Sequence, residues 1–126
     1  GYAEWDLRIP EDDTYTIEAW WASPPEQSAW TRRAVFEVVA DGKVVATKVL
    51  DQTSPGDRWH SIAEVALAAK AQPRVRVRSE DAGALIADAI LVRSANRYND
   101  GSPAAEVVLE PFDGVLLERV QVRDNN

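Results

Sequence analysis

The sequence predicts an all-β fold, a sandwich of the jelly-roll kind, and three observations carry that expectation. Apolar residues recur at every second position through most of the chain, the period of a strand with one face buried. Asp41-Gly42 stands between two such runs, a dipeptide suited to a two-residue hairpin. The remaining joints are clusters of turn formers: Pro10-Glu11-Asp12-Asp13, Ser23-Pro24-Pro25-Glu26, Ser54-Pro55-Gly56-Asp57, Glu80-Asp81-Ala82-Gly83 and Asn99-Asp100-Gly101-Ser102-Pro103.

In chain order, residues 14–21 alternate first, with Tyr15, Ile17, Ala19 and Trp21 on one face and Thr14, Thr16, Glu18 and Trp20 on the other. Residues 34–40 alternate up to the hairpin, and 43–50 form the return strand. Residues 59–67 read as a further strand. The alanine-rich stretch 62–71 offers a helical alternative, which the turn at Gln72-Pro73 and the flanking strands disfavour. Arg74-Val75-Arg76-Val77-Arg78 places valines inward and arginines outward, against acids on adjacent strands. Residues 85–93 are mostly apolar and read as a strand buried on both sides. Residues 105–109 and 115–123 complete the set, separated by the turn Pro111-Phe112-Asp113-Gly114. Eight or nine short strands in 126 residues make one domain, residues 1–126, long enough to hide a core.

Composition narrows the function classes. An apolar fraction of 45% and a charged fraction of 28% are those of a globular domain. A net charge of −7 and a pI near 4.7 argue against nucleic acid and against anionic membranes as partners. No apolar run approaches the roughly 20 residues of a membrane-spanning helix. With no cysteine, disulfides, thiol nucleophiles and Cys-ligated zinc are absent together. The chain opens at Gly1-Tyr2-Ala3 and contains no Met. It therefore reads as an excised domain or processed product whose export signal would lie outside this sequence. Separately, a monomer is expected.

Five tryptophans are the most suggestive residues. An exposed indole binds a sugar ring by lying against its C–H face while polar neighbours take the hydroxyls. Trp20 is the first candidate, because alternation turns it outward beside Thr16 and Glu18. Trp30, just past a proline-rich loop, is the second. The competing reading packs Trp20 under a loop or on a neighbouring domain, and places Trp5, Trp21 and Trp59 in the core.

The acids and the single histidine read as structural. Asp88 lies in an apolar run, where a carboxylate persists only when paired or hydrogen-bonded. Catalysis by it would need a second acid at a set separation and a cleft. Asp51 and Gln52 read as a strand-end network. His60, the only histidine, excludes a His-rich metal site and reads as a surface residue on a strand. Glu11, Asp12, Asp13, Glu80, Asp81, Asp100 and Asp113 could supply oxygens to a structural calcium, though none falls in an EF-hand spacing. Otherwise no cofactor and no catalytic residue is expected.

Several segments in series resemble the golvesin C-terminal-like domain, also described as the xanthan-lyase carbohydrate-binding-like domain. They are Trp5-Asp6-Leu7-Arg8-Ile9-Pro10, Tyr15-Thr16-Ile17-Glu18-Ala19-Trp20-Trp21, Leu50-Asp51-Gln52, Trp59-His60-Ser61-Ile62-Ala63 and Ile86-Ala87-Asp88-Ala89-Ile90-Leu91-Val92. The resemblance covers about residues 3–93, with Ala63 where the family tends to have glycine. It implies a galactose-binding-like jelly roll attached to secreted bacterial lyases, hydrolases and oxidoreductases. Beyond it, Arg97-Tyr98-Asn99-Asp100-Gly101 and the stretch 107–117 resemble the closing strands of a glycosidase's C-terminal β domain.

Together these readings imply a non-catalytic carbohydrate-binding module of a secreted enzyme, extracellular or periplasmic. Its parent would be a glycoside hydrolase or polysaccharide lyase. Its partners would be a poly- or oligosaccharide, held by Trp20, Trp30 and Glu18, and the neighbouring catalytic domain. The alternative is a structural docking module without glycan affinity.

Overall fold

Strict alternation along a strand forces one face into the core and the other outward, and here it produces two stacked sheets. The computed structural model describes residues 2–22, 29–54, 56–95 and 106–109. Within them run β1 (Tyr2–Asp6), β2 (Asp13–Trp21), β3 (Ala34–Ala40), β4 (Lys43–Leu50), β5 (Arg58–Leu67), β6 (Arg74–Ser79), β7 (Ala89–Ser94) and β8 (Glu106–Leu109). One four-stranded sheet has the order β1-β6-β3-β4, and the other β5-β2-β7-β8. All the strand pairings are antiparallel. The strand expected over 115–123 lies outside the described residues.

Between the sheets the inward sets meet in one core. Trp5, Phe36, Val38, Val75 and Val77 come from the first sheet, and Tyr15, Ile17, Trp21, Ile90 and Val92 from the second. The β3–β4 hairpin turns through Asp41 and Gly42, both at positive φ (52° and 73°), as a primed two-residue turn requires. After Leu67 the chain makes only a 3₁₀ turn over Ala69–Ala71, so the helical alternative for this stretch is not taken up. Strand β1 was not expected. Its signal is the buried series Ala3, Trp5, Leu7 and Ile9, which continues beyond the hydrogen-bonded residues.

The expected strand over 85–93 is only half realised. Leu85, Ile86, Ala87 and Asp88 are buried but pair with no strand, and regular pairing begins at Ala89. Buried peptide groups need partners, and at Ile86 one side chain supplies both. Gln52 is fully buried, and its Nε2 donates to the Ile86 carbonyl (2.8 Å) while its Oε1 accepts from the Ile86 N–H (2.9 Å). The amide thus imitates one rung of a ladder. Asp88, 3% exposed, accepts the Ala22 N–H on Oδ2 (3.1 Å) and holds the end of β2. Nearby, Gly56 approaches Trp21 so closely that a Cβ there would lie 2.5 Å from the Trp21 carbonyl oxygen.

A third node ties the segment after β6 to the one before β3. Asp81 accepts Thr31 Oγ1 (2.7 Å) and the amides of Arg32 (3.0 Å) and Gly83 (2.9 Å), while Ser79 Oγ donates to Thr31 Oγ1 (2.9 Å). The Thr31 hydroxyl and then the Gly83 and Arg32 amides hold the Asp81 carboxyl down at about 2.

The outer face of the first sheet is an ion-pair ladder, as the alternation of β6 implies. Arg76 meets Glu37 (2.9 Å), Arg78 meets Glu37 (3.1 Å) and Glu80 (3.5 Å), and Arg74 meets Glu4 (3.5 Å). The hydrogen bond from Arg76, reinforced by Arg78, lowers the Glu37 carboxyl below its ordinary range despite its burial.

Three stability outcomes follow from this packing. Replacing Arg74, Arg76 and Arg78 by glutamine should shift unfolding by about 1 kcal/mol or less, whereas Val77→Ala should cost about 1–3 kcal/mol in urea titrations. The reverse ranking would mean that the arginines face inward. Gln52→Leu strands both polar groups of Ile86 and should cost about 2–5 kcal/mol, more than Asp51→Ala in the same titration. Because its carboxyl is depressed, Asp81 stabilises the fold above the ordinary carboxylate range and ceases to do so as pH falls toward about 2. Asp81→Asn should therefore flatten the loss of stability between about pH 4 and pH 2; an unchanged acid profile would show that this node contributes nothing.

Candidate functional site

The outer face of the second sheet is where the chain leaves chemistry unspent. Strand β2 runs through its middle and turns Thr16, Glu18 and Trp20 outward, since Tyr15, Ile17, Ala19 and Trp21 are buried in the core. Register places Trp20 between Trp59 on β5 and Ala89 on β7. Glu18 stands between Ser61 and Leu91, and Thr16 between Glu64 and Arg93.

A β-bulge shapes this face. Ile17 pairs with Ala63 but Glu18 pairs with Ser61, so β5 carries one extra residue at Ile62. Ile62 drops into the core, and Ala63, partly buried against that core, also borders the outer side. There a cavity of about 270 Å³ opens, walled by Thr16, Glu18, Ser61, Ala63, Glu64, Arg93 and Ala95. Its charged centre is Arg93, whose Nη2 lies 3.9 Å from Glu18 Oε1. Both side chains are 29% exposed. Thr16 Oγ1 donates to the Arg93 carbonyl (3.3 Å), fixing the neighbouring strands at this point. Two carboxylates, one guanidinium and two hydroxyls, beside two indoles, equip the face for hydrogen bonding and stacking.

The bulge also reverses the expected sidedness of Trp59 and His60. Counting back from Val65 and Leu67 without interruption would put Trp59 inside. The extra residue shifts the phase upstream, so His60 points in and Trp59 points out. His60 is half-buried and stacks on Trp21, with ring centroids 3.9 Å apart and planes 7° from parallel. It is therefore not a surface residue, and Trp59, half-buried opposite Trp20, is not a core one.

Of the three residues expected to hold sugar, Glu18 lines the cavity and Trp20 is half-buried on the same face, two positions further along β2. Trp30 is elsewhere. It is 2% exposed and belongs to the core, its chain held against Ala84 by an isolated bridge and by the Thr31 N–H bonded to the Ala84 carbonyl (2.7 Å). It offers no face to a ligand, which corrects its assignment as a binding residue. The proline-rich loop before it, residues 23–28, lies outside the described residues.

The remaining candidates serve the scaffold. Asp88 pins Ala22, and Asp51 Oδ1 accepts the Thr53 N–H (2.8 Å) and hydroxyl (2.6 Å). The loop acids are similarly engaged: Asp12 Oδ1 accepts the Ala69 N–H (2.8 Å), Asp13 Oδ2 the Ser94 hydroxyl (2.6 Å), and Glu80 meets Arg33 (3.0 Å). Among the described residues no three His, Cys, Asp or Glu side chains gather as a metal site would require. Asp100 and Asp113 lie outside them. Arg93, Ser61 and Glu64 were not singled out by sequence; their signal is register, which alternation within one strand does not reveal.

The golvesin C-terminal domain family matches residues 1–94, which takes in β1 through β7 and the whole cavity wall except Ala95. No curated protein and no solved structure matches the chain. Domains of this type are non-catalytic accessory modules of larger proteins. From its first strand to the end of β7, the chain belongs to the golvesin C-terminal domain family.

Proposed function

We propose that this domain is a carbohydrate-binding accessory module of a secreted enzyme, and that it binds glycan on the outer face of the second sheet. The observation that carries the reading is the meeting on one face of the Trp20–Trp59 pair and the polar cavity of Thr16, Glu18, Ser61 and Arg93. A pyranose ring offers a C–H face to an indole and a rim of hydroxyls to carboxylates and hydroxyls, and this surface provides both in sequence along β2. Such a module would hold its parent enzyme near a polysaccharide and raise the effective substrate concentration. The tail's likeness to a glycosidase's closing strands supports a glycoside hydrolase as that parent.

A second reading has its own observation. On the first sheet, Val44, Val45 and Val49 of the edge strand β4 are 45%, 47% and 40% exposed. Val35 and Val39 of β3, which pair with Val49 and Val44, are themselves buried (3% and 2% exposed), so the exposed apolar surface is that of β4. An apolar stripe of this kind suits contact with a neighbouring domain, as in a structural docking module.

Calorimetric titration of soluble oligosaccharides separates the two. Wild type should bind at least one glycan, and Trp20→Ala should weaken that binding by about tenfold, the scale of a lost aromatic stacking contact. Trp59→Ala should act in the same direction, with the β-type circular dichroism of both variants unchanged. Binding to no glycan, together with association of the parent catalytic domain that Val45→Asp and Val49→Asp abolish, would establish the docking reading instead.

A further inference from the structure

Resting on the glycan reading above, we infer that the outer-face cavity discriminates by charge, accepting uncharged sugar rings and rejecting uronates. Glu18 and Glu64 flank the cavity on neighbouring strands, and Arg93 is the one cation among its lining residues. That guanidinium already lies 3.9 Å from Glu18. The lining therefore carries one net negative charge, on a chain of net charge −7. A uronate reaching Arg93 would have to share it with Glu18 and sit beside Glu64. A like charge at about 6 Å, reduced by the dielectric of a protein surface and by ionic screening at about 0.1 M salt, disfavours such a ligand by about tenfold.

An uncharged ring meets the opposite situation. Ionised carboxylates are acceptors only, and sugar hydroxyls can donate to Glu18 and Glu64 in charge-assisted bonds. The Ser61 hydroxyl can donate and accept, and Thr16, whose hydrogen goes to the Arg93 carbonyl, can still accept, which completes a rim matched to a neutral polyol. The arginine ladder of the first sheet gives an anionic glycan no better footing. Arg74, Arg76 and Arg78 are each already met by Glu4, Glu37 or Glu80.

The test is a competition between charge classes. Wild type, Glu64→Gln and the double variant Glu18→Gln/Glu64→Gln are titrated with gluco-, manno- and xylo-oligosaccharides, and with oligogalacturonate and oligomannuronate, at low and high salt. Wild type should bind a neutral oligomer, with the uronates weaker by about tenfold or more at low salt. Removing the carboxylates takes both negative charges from the cavity lining and keeps its one positive charge. The uronate-to-neutral affinity ratio should rise by about tenfold in the double variant and in the same direction in Glu64→Gln. Asp41→Asn, which removes one charge at the distant β3–β4 hairpin, should leave the ratio unchanged. Uronate binding by wild type as tight as neutral binding would overturn the charge assignment while leaving the glycan reading standing. So would an unchanged ratio in Glu64→Gln. Binding of no oligosaccharide by any of the proteins would instead overturn the glycan reading, and this inference with it.

Discussion

The fold depends on satisfying peptide groups that the sandwich buries outside its strands. Between Leu85 and Asp88 the chain runs through the interior without a neighbouring strand, and water cannot reach it. Gln52 takes over at Ile86, and two carboxylates tie down the segments on either side. Gln52 closes on both polar groups of Ile86, Asp88 captures the Ala22 amide, and Asp81 gathers Thr31, Arg32 and Gly83. These bonds fix where β7 begins and how it lies against β2. The site inherits that placement, because Arg93 reaches the cavity only if β7 holds its register opposite Thr16 and Glu18. A scaffold polar network far from the outer face is thus a precondition for its geometry.

The two outer faces use charge in opposite ways. On the first sheet, arginines on β6 are answered by glutamates on β1 and β3 and beyond its own end, so the field largely cancels within the surface. On the second, carboxylates outnumber the cation and are interleaved with hydroxyls and indoles. A surface whose charges are mutually occupied contributes solubility and little else. One whose acceptors are in excess has capacity for a partner rich in donors.

Much of the fold was legible in the sequence, for reasons visible in particular residues. The alternations at 34–40 and 43–50 with Asp41-Gly42 between them specify a hairpin, and the hairpin forms with those limits. The valines and arginines of β6 divide between core and surface as their polarity demands. The misreadings have one common source, interactions between segments distant in sequence. Ile86 could not be seen to pair with a side chain 34 residues earlier. Trp30 follows a stretch without alternation, so nothing local marked it as buried. Glu18 and Trp20 were placed on the outer face from β2 alone, whereas Arg93, Ser61 and Glu64 needed the register of three strands.

The bulge at Ile62 gives the outer face a dependence on chain length as well as composition. Every residue of β5 upstream of Ile62 owes its side of the sheet to that one additional position. Without it, the same letters in the same order would deliver His60 to solvent and Trp59 to the interior, and the indole facing Trp20 would vanish. An insertion or deletion of a single codon in this strand is therefore a larger step for the surface than most substitutions could be. It can exchange an aromatic platform for an imidazole while leaving the amino-acid content nearly unaltered. Among relatives, binding character could consequently be gained or lost in one event, and a comparison that counted only matched residues would not register the change.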